Sequence, residues 1–434
     1  MAERAQLQKN INELVRQYFA GQKQAPFVAG KTKISLIIPS YSTEEVNEAI
    51  DSLLTTRVTM GEKVKQFERL FADYIGVKHA VMVNSGSSAN LLALSILTNP
   101  NIKNPIRPGD EIITPAVTWS TTVFPIINCG AVPVLVDINQ NDFSICLEGI
   151  KKAITNKTRA IMPVHLLGNP CQMDGLMKIA KEHKLYVIED ACEAHGAEFK
   201  GKKAGSFGDM STFSFFFSHH ISTIEGGMVL TDNDQYAELA RGLRVFGWIR
   251  DLKDKDKIAQ KYSGIDPRFL FINIGYNFRP MELQGGFGIH QIKKLESYIK
   301  ARRENAAFWQ EKLKKYEKYL TIHEEKPGTR HVWFGYPVIV NPKAGFTCKQ
   351  LVAFLEKKGV ETRPIMAGNI AEQPAMKQAN YRKAGTLPNA RYINRNAFFF
   401  GNHQGIGKEE REAIVSYFDE FMRGVRHSEG RRAE

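Results

Sequence analysis

Residues 213–227 read FSFFFSHHISTIEGG, an aromatic run followed by two adjacent histidines and a Gly-Gly pair. The aromatic run Phe213–Phe217 has the length and composition of a buried strand, and a Gly-Gly pair precedes the next apolar run. Neighbouring side chains of an extended chain point in different directions, so His219 and His220 are not expected to bind one metal ion together. One of them could act as a general acid or base, because its ordinary pKa is near neutral, or the pair could simply fill core or surface positions.

Short β-rich runs alternate with helix-sized segments around this stretch. The predicted strands are Ala80–Val83, Glu111–Thr114, Val134–Ile138, Ala160–Val164, Leu185–Glu189, Thr212–Phe217 and Gly227–Thr231. Helical segments such as Ser88–Leu97 and Asp174–His183 lie between several of them. This alternation is typical of a mainly parallel sheet covered by helices on both faces, so the sequence predicts an α/β fold.

The pattern differs at the two ends of the 434-residue chain. Leu7, Ile11, Leu14 and Tyr18 have helical spacing and predict an amphipathic N-terminal helix. After residue 283 the sequence predicts a long charged helix, a strand and two further helices, at residues 286–315, 333–340, 348–357 and 408–422. We therefore predict an N-terminal helical extension over residues 1–40, a large domain over 41–295 and a small α+β domain over 296–434.

Composition narrows the class of protein. An apolar fraction of 43% and a charged fraction of 24% are ordinary for a soluble globular protein. No apolar run approaches the roughly 20 residues of a membrane helix, so we expect a cytoplasmic protein with no membrane partner. The five cysteines are scattered, which predicts neither a disulfide framework nor a metal or iron–sulfur site. The net charge of +13 is spread along the chain without an aromatic-basic motif, so no nucleic-acid partner is predicted.

Other polar or aromatic residues follow predicted strands. Residues 84–90 (NSGSSAN) open a helix, and their small side chains suit a bound phosphate, although the serines could equally be N-caps. Asp190 ends an apolar strand, where it could pair with a protonated pyridine nitrogen or cap the next helix. Trp119 could stack on an aromatic cofactor or fill the core.

The order and spacing of these motifs, from about residue 40 to residue 420, resemble the sugar-modifying branch of the aspartate-aminotransferase-like enzymes that use pyridoxal 5′-phosphate (the DegT/DnrJ/StrS type). The resemblance implies a fold-type-I large domain with a mainly parallel seven-stranded sheet, and a smaller α+β C-terminal domain. It implies that the cofactor is bound by Ser85, Gly86, Ser87, Ser88 and Ser214 at its phosphate, Trp119 at its ring, and Asp190 and Glu193 at its pyridine end. A G-Y-N-x-R motif at residues 275–279 implies that Asn277 reaches the cofactor phosphate of a partner subunit, so that a homodimer shares its active sites.

The family carries its Schiff-base lysine five residues after the position of Ser214, and this chain has His219 there. A lysine amine forms a covalent imine with pyridoxal phosphate, whereas an imidazole cannot. The change implies a non-covalently held cofactor, used as pyridoxamine 5′-phosphate, with His219 as the catalytic base at its C4′ carbon. The resemblance then implies dehydration at C3 of a nucleotide-linked 4-keto-6-deoxyhexose, with L-glutamate restoring the amine form of the cofactor.

Two kinds of His-containing 3-dehydratase resemble this chain, and both serve the synthesis of dideoxysugars of surface polysaccharide such as O-antigen. One acts on a CDP sugar and carries an iron–sulfur cluster; the other acts on a GDP sugar and has none. Residues 218–227 resemble the GDP type, but the N-terminal helix and residues 26–30 resemble the CDP type, so GDP, CDP and dTDP all stay open. Arg250 and Arg363 are candidate ligands of the substrate diphosphate, or else surface ion-pair residues.

Two rival functions remain open on the sequence. A nucleotide-sugar 4-aminotransferase would keep the fold but needs a base other than the missing lysine. A non-catalytic homologue would have lost the lysine, but Trp119, Asp190, Glu193 and Ser214 are all still present, which speaks against decay.

Overall fold

The computed structural model describes residues 2–22 and 25–433, with side chains up to residue 425. Within that part of the chain the α-helices are α1 (Ala2–Gly21), α2 (Thr43–Leu54), α3 (Glu62–Ile75), α4 (Gly86–Leu97), α5 (Ser120–Asn128), α6 (Leu147–Ala153), α7 (Met173–His183), α8 (Asp234–Leu243), α9 (Lys255–Lys261), α10 (Glu282–Leu313), α11 (Cys348–Lys357), α12 (Pro388–Asn396) and α13 (Lys408–Ala433).

The strands alternate with the helices over the first half of the chain. They are β1 (His79–Val83), β2 (Glu111–Pro115), β3 (Val132–Val136), β4 (Thr158–Ile161), β5 (Tyr186–Asp190), β6 (Glu198–Phe199), β7 (Lys202–Lys203), β8 (Met210–Ser214), β9 (Gly227–Thr231), β10 (Leu320–Ile322), β11 (Thr329–Arg330), β12 (Gly335–Val340), β13 (Thr362–Pro364), β14 (Arg382–Lys383) and β15 (Ala397–Gly401).

The main sheet has the strand order β1-β9-β8-β5-β4-β2-β3-β14. Strand β9 is antiparallel to both of its neighbours, and every other pair is parallel. All seven predicted strands lie in this sheet, which confirms the predicted α/β fold. Their side chains are almost entirely buried, as expected for strands that are covered by helices on both faces.

An eighth strand, β14, was not predicted, and the predicted count of seven is corrected by this short addition from the C-terminal part of the chain. Its two residues pair with β3, and the guanidinium of Arg382 donates two 2.9 Å hydrogen bonds to the carboxylate of Glu111 on β2. A strand of two residues has no hydrophobic period, so the sequence pattern gives no signal for it.

The second sheet has the order β10-β12-β15-β13 and is antiparallel throughout. Its core is aromatic, with Trp309, Tyr336, Phe400 and Phe418 fully buried. Helix α10 runs without a break past residue 295, so the predicted domain limits at 40/41 and 295/296 stay predictions. No helix of the described chain has the length and apolar character to cross a membrane.

Candidate active site

A cavity of about 620 Å³ lies where the carboxyl ends of the parallel strands face the second sheet. This edge of a parallel sheet is where ligands generally bind. The predicted site residues that line the cavity are Ser85, Gly86, Ser87, Trp119, Asp190, Glu193, Ser214, His219 and Arg363. Residues that are more than 270 positions apart in sequence therefore meet in one place.

One end of the cavity is built to bind an anion. Ser85 caps α4 by accepting a hydrogen bond from the backbone N–H of Ser88 at 3.1 Å, and Gly86 and Ser87 form the first turn. The N-terminus of a helix favours negative charge because its first N–H groups point outward. The hydroxyl of Ser214 accepts a hydrogen bond from the N–H of Phe216 at 3.3 Å, so its own hydrogen can be donated to a ligand.

Gly86 is required by the close approach of α4 to β8. A Cβ atom at this position would lie 2.4 Å from the Cβ and 2.8 Å from the Oγ of Ser214, which is closer than real contacts allow. The absent side chain leaves a concave surface of backbone N–H groups and hydroxyls. A phosphate fits the donors and the shape of this surface.

An aromatic wall stands beside the anion-binding end. Trp119, at the start of α5, is 55% exposed, and Phe216 is 43% exposed. An indole that fills the core would be largely buried, so the core alternative is wrong for Trp119. Its open face can stack on a planar ring within the cavity.

Asp190 is held by three neutral donors at the end of β5. Its Oδ2 accepts hydrogen bonds from Thr122 at 2.8 Å and Asn90 at 3.1 Å, and its Oδ1 accepts one from the backbone N–H of Cys192 at 3.2 Å. No cationic side chain pairs with Asp190 among the described residues, although it is only 5% exposed. A buried carboxylate without a counter-ion is suited to bind a protonated ring nitrogen.

Glu193 lines the cavity three residues after Asp190. Its Oε2 accepts a hydrogen bond of 2.7 Å from the backbone N–H of Leu167. Burial, reinforced by the negative charge of Asp190, raises the pKa of Glu193 to about 8. At neutral pH this carboxyl group therefore carries a proton that it can donate.

His219 faces the cavity just beyond the end of β8. The strand ends at Ser214 rather than at Phe217 as predicted, because the chain turns there and the N–H of His219 bonds back to the carbonyl of Phe216 at 3.0 Å. Burial and the positive charge of Arg302 lower the pKa of His219 to about 3. The imidazole is therefore neutral at physiological pH and can accept a proton.

His220 points away from the cavity into the protein. It is fully buried, and its Nε2 lies 2.9 Å from the carbonyl oxygen of Val332. His219 is therefore the histidine that faces the cavity, and no lysine lies among the residues that line it in the described chain.

Three predicted site residues lie elsewhere. The hydroxyl of Ser88 bonds to that of Ser85 and serves the helix cap, so Ser88 is not a lining residue. The guanidinium of Arg250 is exposed and lies 5.3 Å from the ring centroid of Trp248. Asn277 is also exposed and accepts a hydrogen bond from Arg279 at 3.0 Å. Arg250 and Asn277 therefore do not meet the cavity of their own chain.

Asn90, Thr122, Thr118 and Thr212 form a buried hydrogen-bonded network that the sequence did not predict. Thr212 donates to the Oδ1 of Asn90 at 2.6 Å, and the hydroxyls of Thr118 and Thr122 are 2.7 Å apart. Asn90 is the last residue of the predicted segment NSGSSAN. Its position one helical turn after Ser87 is the feature from which its place near the site could have been predicted. The threonines carry no pattern that distinguishes them from core residues.

Metal-binding groups were not predicted, and the described residues contain no group of three or more His, Cys, Asp or Glu side chains that could hold a metal ion. The five cysteines are free thiols in the structure.

The sheet order and the cavity at its carboxyl edge define the aspartate-aminotransferase-like α/β class of fold type I. Within this class, the chain belongs to the DegT/DnrJ/EryC1/StrS aminotransferase family, whose sequence profile matches residues 39–419. The predicted fold class and family are confirmed.

Two proteins that the chain is similar to are sugar 3-dehydratases. GDP-4-keto-6-deoxy-D-mannose 3-dehydratase of Yersinia pseudotuberculosis is 42% identical over 370 residues, 84% of this chain and 93% of that protein. dTDP-4-dehydro-2,6-dideoxy-D-glucose 3-dehydratase of Saccharopolyspora spinosa is 36% identical over 419 residues, 94% of this chain and 90% of that protein. A crystal structure of GDP-4-keto-6-deoxymannose-3-dehydratase with a trapped PLP-glutamate geminal diamine has a TM-score of 0.83 and 39% identity, and the match covers 88% of this chain and 99% of that one.

Proposed function

We propose that this chain is a pyridoxamine-phosphate-dependent enzyme that removes the C3 hydroxyl of a nucleotide-linked 4-keto-6-deoxyhexose. The observation that carries the proposal is a neutral imidazole, His219, in a cavity without a lysine among its described lining residues. A lysine would make a covalent bond to the cofactor and support transamination. The 3-dehydratase relatives and the structure that holds PLP with glutamate support the same reading.

The residues present fit the cofactor at each of its polar ends. The phosphate would be held by the α4 N-terminus with Ser85 and Ser214, and the pyridine nitrogen would face Asp190, with Trp119 against the ring. When bound, the amine form supplies an amine for the 4-keto group and a ring that withdraws electrons. We propose that His219 takes the proton from the C4′ carbon.

We propose that Glu193 supplies a proton to an oxygen atom of the bound molecules, because it carries one at neutral pH and lines the same cavity. Arg363 lines the cavity from the second sheet, where its Nη2 lies 2.7 Å from Glu361 and its side chain is 52% exposed. A guanidinium held in this way is suited to a substrate diphosphate.

The nucleotide is left open by the relatives, which act on GDP and dTDP sugars. We propose the GDP sugar as the first substrate to test, with L-glutamate as the amino donor, and the synthesis of surface-polysaccharide dideoxysugars as the setting. A 4-aminotransferase would be favoured only if nitrogen were transferred to the sugar. A non-catalytic homologue would be favoured only if no cofactor bound.

We also propose a homodimer with shared active sites. Asn277 lies on a surface where Phe269, Phe271 and Ile274 are 66%, 50% and 99% exposed. Apolar side chains that are this exposed in one segment mark an interaction surface. A second copy seated on it would bring the partner subunit's Asn277 to the phosphate end of the cavity.

The proposal predicts a spectroscopic signature for the purified protein loaded with pyridoxal phosphate. Addition of L-glutamate should convert the absorbance of the aldehyde form into that of the amine form, because the amine is transferred to a free cofactor. Borohydride should leave no cofactor bound to the chain, as measured by mass spectrometry of the intact protein. Covalent attachment to a lysine would contradict the proposal and favour an aminotransferase.

The raised pKa of Glu193 predicts a loss of stability with rising pH. In the folded protein Glu193 keeps its proton up to about pH 8, whereas in the unfolded chain it loses the proton at its ordinary pKa of 4.5. Its contribution to the free energy of unfolding is therefore fully present below pH 4.5 and is lost as the pH rises to about 8. Urea unfolding of the cofactor-free proteins measures this loss. Between pH 5 and pH 8 the free energy of unfolding of the parent should fall by roughly 2–4 kcal/mol more than that of Glu193→Gln, which has no proton to lose at this position. An equal pH dependence of both proteins would show that Glu193 is ionised in the folded state.

A further inference from the structure

Arg302 on α10 carries a buried positive charge behind the wall of the cavity. Its side chain is 3% exposed, and it forms no ion pair with a carboxylate in the described part of the chain. Its Nη1 donates to the carbonyl oxygens of Phe334 at 2.9 Å, of Trp333 at 3.4 Å, and of Asn402. Its Nε has no hydrogen-bond partner among the described residues. A buried charge whose only partners are carbonyl oxygens is costly for stability, which points to a role in function.

The backbone that Arg302 binds forms the wall behind His219. The ring centroids of Phe334 and His219 are 5.4 Å apart, and Phe334 itself lines the cavity. Trp333, whose carbonyl is one of those that Arg302 binds, has a φ of +49°, a left-handed conformation that is strained for a residue with a side chain. Hydrogen bonds from Arg302 to the two successive carbonyls hold this strained turn, and thereby hold Phe334 against the imidazole.

The same backbone also reaches Glu193. The N–H of Phe334 donates to the carbonyl of Leu167 at 2.9 Å, and the N–H of Leu167 donates to Glu193 at 2.7 Å. Leu167 has a φ of +53°, so a second strained turn lies against the first. Arg302 therefore binds the backbone that contacts both His219, through the ring of Phe334, and Glu193, through Leu167.

We propose that Arg302 is a positioning residue for His219, acting through the backbone of residues 333–334 and through its own uncompensated charge. The inference rests on the role given to His219 in the proposed function. The guanidinium supplies the geometry, because its Nη1 contacts three backbone carbonyl oxygens at once. The charge adds to the effect of burial in keeping the imidazole neutral, because a nearby cation disfavours a second positive charge.

The other titratable groups around His219 do not carry a compensating charge. The ring of His195 packs against that of His219, with centroids 6.1 Å apart, and the ring of His220 packs against His195 at 5.6 Å. Burial lowers the pKa of His195 and of His220 well below the ordinary value. The cavity also contains the carboxyl groups of Asp190, Glu193 and Glu225, and none of them forms an ion pair with His219 in the described chain. Arg302 is therefore the charge that acts on this imidazole.

The test uses the cofactor-free protein, so it does not depend on the dehydration reaction. Diethyl pyrocarbonate modifies neutral imidazoles, and peptide mass spectrometry reports the rate at His219 alone. In the parent protein this rate should change less than twofold between pH 5 and pH 8. In Arg302→Met it should fall on acidification by more than it does in the parent, because the opposing positive charge is removed and only the burial of the imidazole still lowers its pKa. Arg302→Lys keeps the charge and should behave as the parent.

Positioning is tested separately by the turnover of Arg302→Lys with the GDP sugar. Loss of the Nη1 contacts to the wall backbone should lower kcat about tenfold with KM little changed, since the neutral base is still present but is no longer held. Arg303→Met is the matched control, because the adjacent arginine is paired with Glu325 at 2.5 Å and binds neither Trp333 nor Phe334. It should match the parent in both measurements.

An unchanged modification profile in Arg302→Met would overturn the electrostatic role. A parental kcat in Arg302→Lys would overturn the positioning role. This measurement does not depend on Arg302→Met, so it tests the positioning role even if that variant does not fold. If no variant or parent turns over the sugar, the proposed function fails, while the modification profile still tests the effect of Arg302 on His219.

Discussion

Replacement of His219 by asparagine should lower the rate of C3 dehydration by about 10²–10⁴-fold, the range that a positioned general base contributes. Asparagine has a similar polarity but cannot accept a proton at neutral pH. The fold, the α4 N-terminus and Asp190 are unaffected, so the affinity for pyridoxamine phosphate should be little changed. The rate is measured in a single turnover with the nucleotide sugar in excess over the loaded enzyme.

The matched control is His290→Asn, which changes a partly buried histidine that bonds to Glu48 at 3.0 Å outside the cavity. It should retain the parental rate. A His219→Asn variant that kept more than about a tenth of the rate would show that another group removes the proton, and the assignment of the base would be wrong.

His219→Lys provides a complementary outcome, because it restores an amine at the position where the family carries its lysine. The variant should become covalently attached to pyridoxal phosphate on borohydride treatment, since the lysine would reach the same cavity. Comparison of the parent with His219→Lys therefore tests whether the side chain at position 219, and not the shape of the cavity, determines whether the cofactor is bound covalently.

The sheet was predictable because its strands are buried on both faces and therefore read as short apolar runs between helices. Strand ends were less predictable. β8 ends at Ser214 although the apolar pattern continues to Phe217, because the chain turns where the N–H of Phe216 donates to the hydroxyl of Ser214. β14 was not predictable, since only its partner strand and the Arg382–Glu111 ion pair define it.

The candidate site was predictable where motifs are contiguous. Residues 84–90 and 188–193 are short segments in which one helix start or one strand end sets several contacts at once. Arg302, Phe334 and Thr122 were not predicted, because each reaches the site through folding of the whole chain and none lies in a segment with a chemical pattern. Long-range hydrogen bonds of this kind have no signal in a single sequence.

The second large effect is expected for Asp190→Asn, which keeps the size of the side chain but removes its charge. If the ring nitrogen of the cofactor is protonated against Asp190, loss of this buried partner should cost about 3–5 kcal/mol. That loss corresponds to a rate decrease of roughly 10²–10⁴-fold in the conversion of pyridoxal phosphate by L-glutamate, followed by absorbance. A titration of the bound cofactor should also show that its ring nitrogen no longer holds a proton at neutral pH.

Thr122→Val is the graded companion of this variant. It removes one of the hydrogen bonds to Asp190, the 2.8 Å bond from the hydroxyl, while Asn90 and the N–H of Cys192 still hold the carboxylate. A hydrogen bond to a charged group contributes about 1.5–3 kcal/mol, so the rate should fall about ten- to a hundredfold. A parental rate in Asp190→Asn would mean that the ring nitrogen lies elsewhere in the cavity. Because the orientation of the cofactor determines which of its atoms faces His219, that result would also remove the geometric basis for His219 as the base.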